Sequence, residues 1–149
     1  MTERRIRVLE SNMIRTASAV WNGNLKEGHG TLTSPSTILN GTPYSFKTRF
    51  EDAPGTNPEE LIAAAHAGCF SMAFSAQLGE RGITPESVST TAAVTMEELT
   101  LTRSVLTCTV VATGADEALI QEAAKAAEEG CPISRVLDLD ITLDLTVQV

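Results

Sequence analysis

The sequence predicts an α+β fold. Three observations carry that prediction: a first third of short alternating runs separated by turn residues, a long alanine-rich helical stretch that begins at Asn57-Pro58, and a closing run whose apolar residues recur at every second position. Runs of strands separated by helices favour α+β over a doubly wound parallel sheet. At 149 residues the chain fits one domain and can bury a core without metal or disulfide staples.

Residues 1–15 are charged and lack a period, so they read as an N-terminal arm before a single domain over 16–149. Thr16 to Trp21 alternates as a strand does. Gly23, Asn24, Gly28 and Gly30 punctuate a turn, and Gly30 to Ser34 returns as a second strand. Asn40-Gly41 is a hairpin signal, because both residues tolerate positive φ. Its expected flanks are Ser36–Leu39 and a strand over Thr42–Phe50. The first third therefore reads as an antiparallel meander.

The second third is dominated by one helix, expected from about Pro58 to Gly79. Asn57 suits the N-cap, Pro58 the first helical position, and Glu60 stands three residues after the cap. Its alanine-rich segment, Leu61–Gly68, allows close approach by a neighbour, which suggests a buried central helix or a subunit contact. Two strands follow, Ser87–Glu97 and Thr100–Thr113, the second with Leu106, Cys108 and Val110 on one face. Ala115–Glu129 is amphipathic, Gly130 breaks it, and Cys131-Pro132 opens a short helix to about Leu137. Ile141, Leu143, Leu145, Val147 and Val149 form the closing strand.

The formal net charge is −8. Such a chain repels nucleic acid and anionic membranes, so neither is expected as a partner. No segment reads as the roughly 18 consecutive apolar residues of a membrane span. The run Met1–Arg7 is charged with no apolar stretch behind it, so no signal peptide is expected and the cytoplasm is the expected compartment. Structural disulfides are rare there. Three cysteines without a C-x-x-C pair then mean thiol chemistry or plain burial.

Cys69 lies about three turns inside the long helix, beyond the reach of the helix dipole. A free thiol is mostly protonated at neutral pH, so a reactive Cys69 would need a nearby cation. Arg49 is the candidate, with Glu59 able to orient it as a bidentate partner. On residues alone, core burial is the favoured reading of Cys69 over a catalytic one. Cys131, between Gly130 and Pro132, sits near a helix N-cap, where unpaired N–H groups favour a thiolate and where an accessible position is expected. Cys108 reads as core. His66, three residues before Cys69, is a base, half of a metal set or, as the favoured reading, a packing or hydrogen-bonding residue. With His29 the only other histidine, a zinc set would need Cys131 and a carboxylate.

The run from Asn57 to Ala73, with Ala65-His66-Ala67-Gly68-Cys69-Phe70-Ser71-Met72 at its centre, closely resembles the signature of the OsmC (osmotically inducible protein C) family, within the OsmC/Ohr superfamily. So do Gly130-Cys131-Pro132-Ile133-Ser134-Arg135-Val136-Leu137, the stretch Pro43–Phe50 and Gly55-Thr56. The resemblance implies antiparallel sheets wrapped around long central helices in an intertwined homodimer. It implies a peroxidase that reduces organic hydroperoxides better than hydrogen peroxide, with Cys69 peroxidatic, Cys131 resolving, and Arg49 with Glu59 the activating pair. It implies no metal, haem or flavin, and a dithiol as reductant, lipoylated proteins for part of the family. Phe46, Phe70 or Met72 would line an apolar substrate site. The alternative is a non-catalytic small-molecule-binding or metal-binding protein on the same fold. The stretch from Met96 to Arg103 looks short against the family, and the arm looks long.

Overall fold

The computed structural model describes residues 12–149. Most of the expected arm therefore lies outside the described residues, and 12–15 carry no regular structure. The chain divides into two compact units, one ending at Asn57 and the other spanning Pro58–Val149.

In the first unit β1 (Ser18–Asn22), β2 (His29–Thr33) and β3 (Thr42–Tyr44) form an antiparallel sheet in that order. Gly30 pairs with Trp21 on one side and Tyr44 on the other. A side chain there would run into both rings, which meet at 5.5 Å between centroids. Two expectations fail here. Asn40-Gly41 does not form a two-residue hairpin; it closes a longer loop. Ser34 N–H donates to Leu39 O at 2.8 Å, and Leu39 N–H returns to Ser34 Oγ at 3.2 Å, so the loop has its own hydrogen bonds. The expected strand over Thr42–Phe50 also stops at Tyr44, and α1 (Phe46–Phe50) takes over. The cause is a capping box. Ser45 Oγ accepts from Thr48 N–H at 3.2 Å, and Thr48 Oγ1 accepts from Ser45 N–H at 2.8 Å. Arg49 thus sits in the last turn of a short helix rather than at a strand end.

The second unit opens with α2 (Pro58–Glu80), followed by β4 (Ser87–Glu97) and β5 (Thr100–Val111). Glu98 and Leu99 alone join these strands, both at positive φ (49° and 62°), which is the short connection expected between Met96 and Arg103. Then come α3 (Glu117–Gly130), α4 (Pro132–Val136) and β6 (Asp140–Gln148). Asp116 caps α3 through a 2.8 Å bond from Ala118 N–H. The sheet order is β4-β5-β6. β6 runs parallel to β5, so this sheet is mixed rather than wholly antiparallel. A parallel neighbour needs a crossover, and α3 with α4 supplies it.

The core gathers Phe70, Phe74 and Leu78 of α2, Leu106, Cys108 and Val110 of β5, and Ile120, Ala123 and Ala127 of α3. Burial along α2 recurs at every fourth residue, His66, Phe70, Phe74 and Leu78. The opposite stripe, Ala64, Gly68, Met72 and Ala76, is exposed. Within one chain, the helix expected to be buried is covered on one face only. Contrary to expectation, α2 is also long and apolar enough to meet the length and composition of a membrane crossing. Its apolarity comes from alanine and from the Phe/Leu row that packs on the core.

Candidate active site

Cys69 is half-buried on α2 and packs against the core. Cys131 closes α3 and opens α4 as their shared cap residue. Its N–H donates to Ala127 O at 2.9 Å, and its carbonyl accepts from Arg135 N–H at 3.1 Å. That double anchorage turns the side chain inward, and Cys131 is 0% exposed. The expected accessible Cys131 is therefore corrected: of the two thiols, Cys69 is the more accessible. Far apart in sequence, the two side chains engage each other directly.

The two thiols are driven in opposite directions. Burial pushes Cys69 up, the Ile133 N–H partly opposes it, and the Cys131 sulfur pushes it further up. Burial also acts to raise Cys131. The Ser134 hydroxyl, the Ser134 N–H, the Cys69 thiol and the Ile133 N–H together outweigh that effect and hold Cys131 below the ordinary value. Cys131 closes no capping hydrogen bond of its own. The N–H groups at the start of α4 nevertheless face its sulfur and favour its charge. The two thiols influence each other's ionisation, which is favoured at Cys131 over Cys69.

His66 is fully buried. Its Nδ1 lies 2.7 Å from Ser104 Oγ and its Nε2 2.8 Å from Ser134 Oγ. Burial holds it below the ordinary histidine value. Of the readings open in the sequence, hydrogen bonding is the one realised. Ser134 and Ser104 escaped the sequence reading, although both left signals. Ser134 stands three residues after a helix cap, the spacing of a capping partner. Ser104 is a polar residue on the inward face that Leu106, Cys108 and Val110 continue, and a buried hydroxyl needs a partner.

Cys108 is 0% exposed, and burial pushes it up, against a weaker pull from the Thr90 hydroxyl. Arg49 belongs to the first unit, where it is exposed and stacks its guanidinium over the Phe50 ring, 5.3 Å from the centroid. Glu59 is half-buried in the first turn of α2.

The OsmC-like protein family model matches residues 50–146, which takes in Glu59, Cys69 and Cys131 and begins one residue after Arg49. Peroxiredoxin OsmC of Escherichia coli (strain K12) is 46% identical over 134 residues, covering 87% of this chain and 94% of that protein. An organic hydroperoxide resistance protein-like protein of Staphylococcus aureus (strain USA300) is 33% identical over 102 residues, 66% of this chain and 73% of its own. The crystal structure of the organic hydroperoxide resistance protein OhrB of Bacillus subtilis superposes with a TM-score of 0.63 at 26% identity, covering 88% of this chain and 98% of that one. The chain belongs to the OsmC-like protein family.

Proposed function

We propose that this chain is a thiol peroxidase that reduces organic hydroperoxides in preference to hydrogen peroxide, through Cys69 and Cys131. The observation that carries the reading is that folding brings together two thiols far apart in sequence, a half-buried Cys69 and a buried Cys131 at which ionisation is favoured. The named relatives, a peroxiredoxin and hydroperoxide resistance proteins, support the same chemistry.

Starting from ionised Cys131, the Cys69 proton moves to Cys131, and the Cys69 thiolate attacks the distal oxygen of ROOH. The O–O bond breaks, Cys69 becomes a sulfenic acid, and the departing alkoxide takes the proton from Cys131. That leaves Cys131 as a thiolate when it is needed. It attacks the Cys69 sulfur, hydroxide leaves and is protonated to water, and a Cys69–Cys131 disulfide remains. A dithiol reduces it by exchange. Cys69 is the more accessible sulfur, and Cys131, held at the lower value, is the better leaving group, so the dithiol enters at Cys69. Arg49, oriented by Glu59, is assigned by resemblance the stabilisation of the attacking thiolate and the developing oxyanion. Lipoylated proteins are the proposed dithiol source. Three free cysteines suit a reducing compartment such as the cytoplasm.

The exposed stripe on α2, with Met72 77% exposed, favours a second copy of the chain as its cover, hence a homodimer. Light scattering on the purified protein tests this: a concentration-independent monomer would remove it. The peroxidase reading is tested by peroxide consumption with an organic hydroperoxide and a dithiol. No turnover with any of several dithiols would overturn it in favour of a binding module on the same fold. As for a metal-binding protein, among the described residues no group of three His, Cys, Asp or Glu side chains is placed to hold an ion.

A further inference from the structure

We infer that His66 is a positioning residue that aims the Ser134 hydroxyl at the Cys131 sulfur, through a one-directional hydrogen-bond chain that starts at Ser104. A neutral imidazole has one N–H to give and one lone pair to receive. His66 touches a hydroxyl at each nitrogen, 2.7 Å at Nδ1 and 2.8 Å at Nε2. Only two arrangements satisfy all three groups. In the first, Ser104 Oγ–H donates to Nδ1 and Nε2–H donates to Ser134 Oγ. The Ser134 proton is then free to point at Cys131. In the second, Nδ1–H donates to Ser104, Ser134 spends its proton on Nε2, and Cys131 loses the hydroxyl donor while keeping its backbone ones. Where Cys131 is ionised, the first arrangement is the one that turns the Ser134 hydroxyl proton toward it.

Several observations set this network apart from packing. Ser104 and His66 are both fully buried, and the next inward positions of β5 are Leu106, Cys108 and Val110. Polar groups in such a place cost stability unless every one is paired, and an apolar pair would fill the space without that cost. Burial also keeps the imidazole neutral, which limits it to one donor and makes the chain directional. The far end of the chain is the Ser134 hydroxyl, on the first turn of α4 three residues after its cap Cys131, where it lowers the Cys131 thiol. The elements packed around Cys131 carry these titratable groups: Glu59, Glu60, His66, Cys69 and Glu80 on α2, Arg103 and Cys108 on β5, Glu117, Glu122, Lys125, Glu128 and Glu129 on α3, and Arg135 on α4. Of these, His66 is the one joined to Ser134, and Cys69 the one joined to Cys131. The consequence for turnover rests on Cys131 being the resolving thiol: the chain supplies a thiolate for attack on the sulfenic acid and a good leaving group for the dithiol.

The test uses the full chain carrying Cys69→Ser and Cys108→Ala, in which Cys131 is the only thiol, and follows its ultraviolet thiolate absorbance against pH. Ser134→Ala moves the titration to higher pH and lowers the thiolate fraction on its acid side about tenfold, the scale of a hydrogen bond to a charged group. His66→Leu moves it the same way by less. His66→Gln, which keeps an amide N–H for Ser134, recovers part of the loss. The His66→Leu and Ser134→Ala double variant goes no further than Ser134→Ala alone, because both act on one hydroxyl. A His66→Leu titration that does not move, or two shifts that add, overturns the inference. Nitrogen NMR on the unsubstituted reduced chain gives a reading free of folding effects. The Nε2–H tautomer is expected while Cys131 is ionised, and the Nδ1–H tautomer would overturn the chain's direction. Neither readout involves peroxide turnover, so failure here leaves the peroxidase reading standing, and the converse holds.

Discussion

Cys108 and Cys131 are equally buried, both at 0% exposure, yet their surroundings drive them in opposite directions. Cys108 sits in the sheet between Leu106 and Val110, where burial dominates and the Thr90 hydroxyl is too little to compensate. Cys131 sits where two helices meet, among the Ser134 hydroxyl, two backbone N–H groups and a second thiol. The difference teaches that burial alone does not make a thiol inert. Donors decide: a buried sulfur with several of them is charged more easily than a half-exposed one with few. Cys69 completes the comparison, because it is more accessible than either and is still pushed up.

The comparison is broken most directly by removing each thiol in turn. Cys69→Ser abolishes consumption of an organic hydroperoxide with dithiol, measured by loss of peroxide. Cys131→Ser permits one oxidation per chain and then stops, leaving a chain heavier by one oxygen in intact-mass analysis. Cys108→Ala retains turnover; loss of activity there would erase the distinction between the two buried sites. Next in size is Arg49→Ala, expected to lower kcat/KM for the hydroperoxide roughly a hundredfold, the scale of removing a preorganised donor. Arg49→Lys should fall between, since an ammonium keeps the charge but loses the planar fork.

Smaller effects sharpen the comparison through stability. His66 is held below the ordinary value of 6.5 by burial, so the folded chain resists protonation that the unfolded chain accepts. Its contribution is full above pH 6.5 and is lost as pH falls below 6.5 toward the folded value. Chemical denaturation from neutral to mildly acidic pH should show this loss, and His66→Gln should flatten it. Asp116→Ala removes the cap of α3 and should cost about 1 kcal/mol, leaving the thiol chemistry unchanged.

Much of this was legible in the sequence. The strand, long helix, strands, helices and closing strand follow from period and punctuation, and the ends of α2 and β4 lie within a residue or so of expectation. What escaped was set by side-chain hydrogen bonds. The Ser45–Thr48 box turned an expected strand into α1, and the Ser34 hydroxyl turned a hairpin into a loop. The direction of β6 escaped because a period-2 run fixes a strand's faces but not its neighbour's orientation. At the site, residue types and motif resemblance picked out both cysteines, yet their exposure came out reversed. A Gly-Cys-Pro junction marks a chain turn without saying which way it turns. His66 stands out in sequence by its spacing to Cys69, but its partners lie on β5 and α4 and are joined only by folding.

The central claim is that Cys69 and Cys131, and not Cys108, form the redox pair. Its most direct test is peptide mass mapping of the reduced chain after one equivalent of organic hydroperoxide, with free thiols blocked before digestion. The expected result is a loss of two hydrogens from the intact chain, a bridged peptide joining Cys69 to Cys131, and a blocked Cys108. A bridge that includes Cys108, or a stable added oxygen on Cys69 with Cys131 still free, would contradict it.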